Sequence, residues 1–133
     1  MEDGKQISIL AIDDNVTQLK IFDGILGSLY KLTMIKSASE ALKLLGSRGF
    51  NLILLDIEMP DVSGFEFLHE IRKIPRFMTT PVIIVTSHSD PELLSRAKKT
   101  SASDVLIKPI LPESLLKSID SALTGPAKNP FNL

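Results

Sequence analysis

The sequence contains no cysteine and no long apolar run, and its formal net charge is only −1. Without cysteine the chain forms neither disulfides nor thiolate metal sites, which fits a reducing compartment. No apolar stretch approaches the roughly 20 residues of a membrane helix, and the polar start MEDGKQ is unlike a signal peptide. The basic stripe of a general nucleic-acid binder is also missing. We therefore expect a soluble cytoplasmic protein with no direct contact to membranes or nucleic acid.

The length and composition of the chain predict one globular domain. Hydrophobic residues make up 44% of the 133 residues and charged residues 23%, which is typical of folded rather than disordered chains. A chain of this length can bury one core but is too short for two good ones. Residues 125–133, GPAKNPFNL, hold two prolines and show no periodicity. We expect one domain over residues 1–124, followed by a flexible tail or the start of a linker.

Short apolar runs predict five β-strands, and segments with helical spacing lie between and after them. This alternation implies a parallel sheet with helices on both faces. Right-handed crossovers then favour a doubly wound, flavodoxin-like α/β fold with five strands in the order 2-1-3-4-5 and five helices. The predicted strands are Ile7–Ile12, Lys31–Lys36, Leu52–Leu55, Val82–Val85 and Asp104–Ile107. Four of the five helices have start signals, at Asn15, Ser37, Asp90 and Pro112.

Three further expectations concern individual residues of the helices. Gly64 should permit an unusual backbone angle before the third helix. The basic pairs at 72–73 and 98–99 are interpreted as solvated helix faces. A 3–4 spacing predicts the apolar face of the first helix, made of Val16, Leu19, Phe22, Ile25, Leu26 and Leu29.

Polar side chains follow the apolar runs, at the point where each predicted strand ends. Asp13 and Asp14 follow the first run, Asp56 the third, Thr86 the fourth and Lys108 the fifth. In an open parallel sheet, ligands bind outside the carboxyl ends of the strands, and strands 1 and 3 are neighbours at the switch point. The sequence therefore predicts that these five side chains share one crevice.

The acidic part of this crevice predicts a metal site. Three close carboxylates repel one another, and a divalent cation is the simplest remedy. Oxygen ligands favour Mg²⁺ or Mn²⁺ over zinc. Asp13 and Asp14 are the predicted acidic pair, and the backbone carbonyl of Glu58 could complete the metal shell.

The other polar groups predict phosphoryl chemistry. The ammonium of Lys108 and the hydroxyl of Thr86 suit phosphate oxygens. Phosphoryl transfer needs positioning, charge neutralisation and a nucleophile, and an aspartate carboxylate can attack phosphorus. Asp56 stands alone at a strand end and is the predicted nucleophile.

Four segments of the sequence carry a family resemblance. They are DD at 13–14, DIEMPDVSG at 56–64, VTS at 85–87 and LIKPI at 106–110. In order and spacing this set resembles the receiver domain of bacterial two-component response regulators, over about residues 5–123. The chain looks like a stand-alone receiver of the chemotaxis type, or like a receiver cut from a larger protein.

The resemblance implies a phosphoacceptor and its metal ligands. Asp56 would accept a phosphoryl group from a sensor histidine kinase or a phosphotransfer protein. Mg²⁺ would be held by Asp14, Asp56 and the carbonyl of Glu58. Asp13 would act mainly through a metal-bound water.

The resemblance also implies a readout of the phosphorylated state. Lys108 would bind the phosphate, Thr86 would move toward it, and the Lys108–Pro109 peptide bond would be cis. The kinase would dock on the first helix. An unknown downstream protein would bind the surface formed by the last two helices and strand Asp104–Ile107. A phosphorylation-linked dimer is possible in such a family. His88 is a candidate for the rim of the site, although we interpret it as exposed structure.

The sequence departs from the family pattern at three positions. Val105 stands where many receivers carry an aromatic residue that switches together with the threonine. Ser101 stands where glycine is common, and Ile110 where phenylalanine is common. Half of the usual switch is therefore missing, while the phosphorylation chemistry is complete.

A phosphorylated signalling switch would catalyse only its own modification and so would not be a conventional enzyme. Three other classes of protein are alternatives to such a switch. A phosphorylation-independent scaffold is favoured slightly by Val105 and opposed by the intact acidic and lysine set. An aspartate-nucleophile phosphatase would resemble D-x-D near the first strand and would need a cap domain. A flavodoxin-type cofactor binder would carry a glycine- or hydroxyl-rich loop in place of DDNVT.

Overall fold

The protein folds into one five-stranded parallel sheet in the order β2-β1-β3-β4-β5, with helices on both faces. The computed structural model describes residues 7–87 and 90–124. The predicted fold class and strand order are confirmed. The strands are β1 (Ser8–Ile12), β2 (Lys31–Ile35), β3 (Leu52–Asp56), β4 (Val82–Thr86) and β5 (Asp104–Ile107). The helices are α1 (Val16–Leu26), α2 (Ala38–Leu45), α3 (Gly64–Ile71), α4 (Pro91–Lys98) and α5 (Pro112–Thr124), with a short 3-10 helix at Pro75–Phe77.

The predicted strand limits are right to within one residue. β3 and β4 each continue one residue further than expected, so that Asp56 and Thr86 belong to the strands themselves. The predicted tail at residues 125–133 and the rim candidate His88 lie outside the described residues. No described helix is long and apolar enough to cross a membrane.

Side-chain caps begin four of the helices. Each cap accepts a hydrogen bond from a backbone N–H two or three residues further along. The caps are Asn15, Ser37, Ser63 and Asp90. The cap at Ser63 had not been predicted, although Glu66 three residues later completes the usual capping pattern.

Two apolar layers enclose the sheet, because successive side chains of a strand point to opposite faces. On one face, Leu10 and Ile12 of β1 pack with α2, α3 and α4. On the other, Ile9 and Ala11 pack with α1 and α5. Nearly all side chains of the central strands β1, β3 and β4 are buried, so the carboxyl ends of these strands are held rigidly.

The predicted apolar face of α1 is wrong at both ends. Leu19, Phe22 and Leu26 are buried, but Val16 is 48% exposed and Leu29 is 47% exposed. Val16 is the first residue of the helix, and Leu29 lies beyond its end at Leu26. The 3–4 spacing of apolar residues therefore continues, at both ends, beyond the part of the helix that packs against the sheet.

Gly64 is required for close packing rather than for an unusual backbone angle. It is the first residue of α3 and does not take a left-handed φ. A Cβ at this position would lie 2.8 Å from the backbone carbonyl oxygen of Asp56 and would also strike the backbone of Ile57. The prediction of an unusual backbone angle at Gly64 is thus wrong, and the close approach of the Asp56 and Ile57 backbone explains the glycine.

Arg72 is not part of a solvated helix face. Its side chain is half-buried and donates hydrogen bonds to the carbonyls of Phe77 and Thr80, at 2.7 and 2.8 Å. The interpretation of its neighbour Lys73 is correct, because that side chain is exposed and forms an ion pair at 3.2 Å with Glu70. Lys98 and Lys99 are exposed as expected.

Candidate functional site

Three aspartates converge where β1 and β3 end. β1 and β3 are hydrogen-bonded neighbours, with Ile12 opposite Leu55. One carboxylate oxygen from each of Asp13, Asp14 and Asp56 lies within 4.8 Å of the other two. Asp13 is fully buried and Asp56 is 5% exposed, whereas Asp14 is exposed. The cluster is therefore a buried acidic pocket that opens to solvent beside Asp14.

Lys108 provides the positive charge of this pocket. Its Nζ lies 2.9 Å from Oδ2 of Asp13 and 4.0 Å from Oδ2 of Asp56. Lys108 directly follows β5, and its backbone N–H donates a hydrogen bond to the carbonyl of Thr86 at 2.8 Å. The peptide bond between Lys108 and Pro109 is cis, as the family resemblance implies. One ammonium faces three carboxylates, so the pocket has excess negative charge when all are ionised.

One carboxylate oxygen of Asp13 has no hydrogen-bond partner among residues 7–87 and 90–124. Its Oδ1 accepts a hydrogen bond from the backbone N–H of Asn15 at 2.9 Å. Its Oδ2 is buried, and in the described part of the chain its one polar contact is the ion pair with Lys108, which lacks hydrogen-bond geometry. A buried oxygen of this kind is a suitable acceptor for a cation or for a water on a cation. The oxygen-only donor set fits a hard divalent ion such as Mg²⁺ or Mn²⁺.

Asp56 has an unusual proton affinity in this pocket. Its pKa is raised from the ordinary value of 3.8 to about 7, chiefly because burial disfavours the charged carboxylate. The charges of Asp13 and Asp14 act in the same direction. The backbone N–H of Glu58, which donates to Oδ1 at 3.1 Å, and the ammonium of Lys108 lower the pKa. The pocket therefore disfavours a third negative charge unless a cation is bound.

The remaining predicted residues lie around this pocket. Thr86 is fully buried at the end of β4, the strand next to β3. The side chain of Glu58 is exposed, and its backbone contacts the carboxylate of Asp56. Val105 is half-buried and packs against the apolar layer that contains α3 and α4. Asp13, Asp14, Asp56, Glu58 and Thr86 are thus at the carboxyl ends of the central strands or in the loops that follow them. Lys108 instead follows the edge strand β5, and Val105 lies within that strand.

One residue that positions the site was not predicted. Oδ2 of Asp61 accepts hydrogen bonds from both the backbone N–H and the Oγ of Ser39, at 3.0 and 2.9 Å. These hydrogen bonds tie the loop after β3 to the first turn of α2. They lower the pKa of Asp61 to about 2, the backbone N–H of Ser39 contributing most. The acidic residue in the loop was visible in the sequence, but its partner lies 22 residues away.

Comparison with known protein families identifies the family of this chain. The family described as the response regulator receiver domain matches residues 9–120. This chain belongs to that family. The receiver domain is 32% identical over 117 residues to a two-component response regulator of rice, ORR11 of Oryza sativa subsp. indica, covering 86% of this chain and 80% of the rice protein.

A solved structure and a longer protein are also similar to this chain. The receiver domain superposes on a CheY-like receiver domain protein of Methanospirillum hungatei JF-1 with a TM-score of 0.80 and 30% identity, covering 88% of this chain and 93% of the other. It is also 35% identical over 110 residues to a probable cyclic di-GMP phosphodiesterase of Vibrio cholerae, covering 83% of this chain but 25% of that protein. The fold is therefore found both in short proteins and as part of larger ones.

Proposed function

We propose that this receiver domain accepts a phosphoryl group on Asp56 from the phosphohistidine of a sensor histidine kinase or phosphotransfer protein. The observation that carries the proposal is the convergence of three carboxylates and the Nζ of Lys108 within one pocket. An oxygen of Asp56 forms the new bond to phosphorus as the phosphorus–nitrogen bond breaks. The electron pair of that bond returns to the imidazole, which then takes up a proton.

The residues around Asp56 hold and neutralise the reacting groups. The backbone N–H of Glu58 fixes one carboxylate oxygen of Asp56 before the reaction. Lys108, now paired with Asp13, lies 4.0 Å from Asp56 and needs only a small movement to meet an oxygen of the new phosphoryl group. The hydroxyl of Thr86 would contact another of these oxygens at the end of β4.

A divalent cation, Mg²⁺ or Mn²⁺, would supply charge neutralisation between the carboxylates and the phosphoryl oxygens. We assign it to Asp14, Asp56 and the backbone carbonyl of Glu58. Asp13, whose buried Oδ2 lacks a hydrogen bond, would hold it through a water. The excess negative charge of the pocket supports this assignment.

The phosphorylated form would act by changing a surface that a downstream protein reads. The domain would span residues 1–124 and catalyse only its own phosphorylation and dephosphorylation. The kinase would dock on α1, and the output face would be α4, β5 and α5. Because Val105 replaces the usual switch aromatic, phosphorylation would be read out through loop movement or through another mechanism of the output face.

The proposal is tested by incubating the protein with acetyl phosphate and Mg²⁺ and measuring its intact mass. The wild-type protein should gain one phosphoryl group, and the gain should disappear with EDTA. Asp56→Asn is the negative control. If the wild-type protein gains no more mass than Asp56→Asn, the phosphoacceptor assignment is wrong. An absence of Mg²⁺ binding as well would instead support the phosphorylation-independent scaffold.

A further inference from the structure

A groove between α3 and α4 has the opposite charge to the acidic pocket. It encloses a cavity of about 310 Å³, near the lower limit for small-molecule pockets. In the part of the chain that the structure describes, no acidic side chain lines this cavity. Its lining includes Phe65, Leu68, His69, Arg72, Arg96 and Ser101. Two arginines and an aromatic ring in one small cavity indicate a site for an anion with a flat apolar part.

Arg72 has no carboxylate partner in this groove among the residues that the structure describes. Its Nε donates to the Oγ of Ser101 at 2.7 Å, and its Nη1 donates to two backbone carbonyls of the segment after α3. Every acceptor is neutral. Burial lowers the pKa of Arg72, as expected for a cation that is partly removed from water with no compensating anion. Nη2 of Arg72 makes one long contact within the described part of the chain, at 3.3 Å to the carbonyl of Ser101. Its second N–H has no acceptor there.

The interaction between Arg72 and Ser101 depends on a residue that departs from the family pattern. Ser101 stands where the family resemblance leads one to expect glycine, and glycine has no hydroxyl to accept from Nε. The serine therefore fixes the plane of the guanidinium at the edge of the cavity. This departure from the family pattern has no role in the acidic pocket.

Arg96 contributes a second guanidinium that has no anionic partner. Its guanidinium carbon lies 4.0 Å from the centroid of the Phe65 ring, a stacked arrangement. Within residues 7–87 and 90–124, Arg96 forms no ion pair, and Glu92 one turn earlier on α4 is not within ion-pair distance. A stacked guanidinium keeps its N–H groups along its edge, where they can bind two oxygens of a carboxylate or phosphate.

We propose that the groove between α3 and α4 binds a small organic anion, in which a carboxylate or phosphate group is attached to a flat apolar body. Arg96 binds the oxyanion with the edge of its guanidinium, and the free N–H of Arg72 adds a second contact. Phe65 and Leu68 contact the apolar body. The site shares no residue with the acidic pocket.

The proposal is tested with phenyl phosphate and benzoate as probes, each titrated into the full-length protein in EDTA and followed by amide NMR. EDTA removes the cation through which a phosphate could enter the acidic pocket. We expect saturable shifts at Leu68, Thr100 and Ser101. Saturation by phenyl phosphate alone identifies a phosphate ligand, saturation by benzoate alone a carboxylate, and saturation by both an oxyanion of either kind.

Two variants locate the binding. Arg96→Gln should weaken binding at least about fivefold, because it removes charge-assisted hydrogen bonds. Lys98→Gln is the matched control, since it removes the same charge from an exposed position on the same helix, and it should stay within about twofold of the wild type. The proposal is overturned if neither probe saturates below about 10 mM, if Arg96→Gln binds as well as wild type, or if the shifts centre on the acidic pocket.

Discussion

Replacing Asp56 with asparagine should stabilise the protein when no metal is present. In the pocket the pKa of Asp56 is about 7, compared with 3.8 in an unperturbed aspartate. At 1.36 kcal/mol for each unit of pKa, the ionised carboxylate costs the folded state up to roughly 4 kcal/mol. Movement of Lys108 and entry of water reduce this cost, so we expect Asp56→Asn to be about 2–4 kcal/mol more stable at pH 8.

The sign of the pH dependence follows from the raised pKa. Below 3.8, Asp56 is protonated in both the folded and the unfolded protein and costs nothing. As the pH rises from 3.8 to about 7, the unfolded chain releases its proton first and the wild type loses stability. The advantage of Asp56→Asn should therefore be small at pH 4 and full at pH 8.

Urea unfolding in EDTA measures this difference directly. The wild type and Asp56→Asn are compared at pH 4 and pH 8, together with Asp23→Asn, which changes an exposed aspartate of α1 outside the acidic pocket. The control should change stability by less than about 0.5 kcal/mol at both pH values. Asp56→Asn with no gain at pH 8, or with the same gain at both pH values, would refute this account of the pocket.

Three further perturbations test the surroundings of the site. Gly64→Ala should lower the free energy of unfolding by about 1–3 kcal/mol, because the new Cβ would clash with backbone atoms. Gly24→Ala should raise it by about 0.5–1 kcal/mol, because there is open space around this position of α1. Thermal unfolding of the two variants measures both changes, and equal effects would contradict the prediction. Lys108→Ala should slow phosphorylation by acetyl phosphate at least about tenfold while leaving the protein folded, as judged by circular dichroism; an unchanged rate would remove the lysine from the chemistry. Because the pKa of Asp61 is lowered to about 2, the stability that its hydrogen bonds to Ser39 provide should be present at neutral pH and lost as the pH falls from 3.8 toward 2. Asp61→Asn should therefore unfold at lower urea than wild type at pH 7, and the difference should close near pH 2; a difference that does not depend on pH would argue against this role.

The topology and most of the site could be predicted from the sequence because both follow from strand periodicity. Buried strands of a parallel sheet end at one edge, and this places Asp13, Asp14 and Asp56 together without knowledge of any distance. The sequence could not show which carboxylate Lys108 prefers. That preference depends on a difference of about one ångström between two contacts, 2.9 Å to Asp13 and 4.0 Å to Asp56.

Predictions were wrong or missing where tertiary contacts decide the surroundings of a side chain. Arg72 looks like a solvated helix residue until the segment after α3 and the loop before β5 supply its acceptors. The contact between Asp61 and Ser39 likewise joins the loop after β3 to the first turn of α2, 22 residues earlier in the chain. Leu29 has the right spacing for a buried position, but spacing does not tell where the sheet stops covering the helix. Such features depend on tertiary contacts that periodicity does not encode.

The central claim is that Asp56 itself becomes the phosphorylated residue. It is tested most directly by treating the protein with acetyl phosphate and Mg²⁺, reducing it with borohydride and sequencing its peptides by mass spectrometry. Borohydride converts an aspartyl phosphate to homoserine, whereas an unmodified aspartate is not reduced. We predict homoserine at position 56 and aspartate at positions 13 and 14. Homoserine at another aspartate, or aspartate at position 56 in protein that has gained the phosphoryl mass, would contradict the claim.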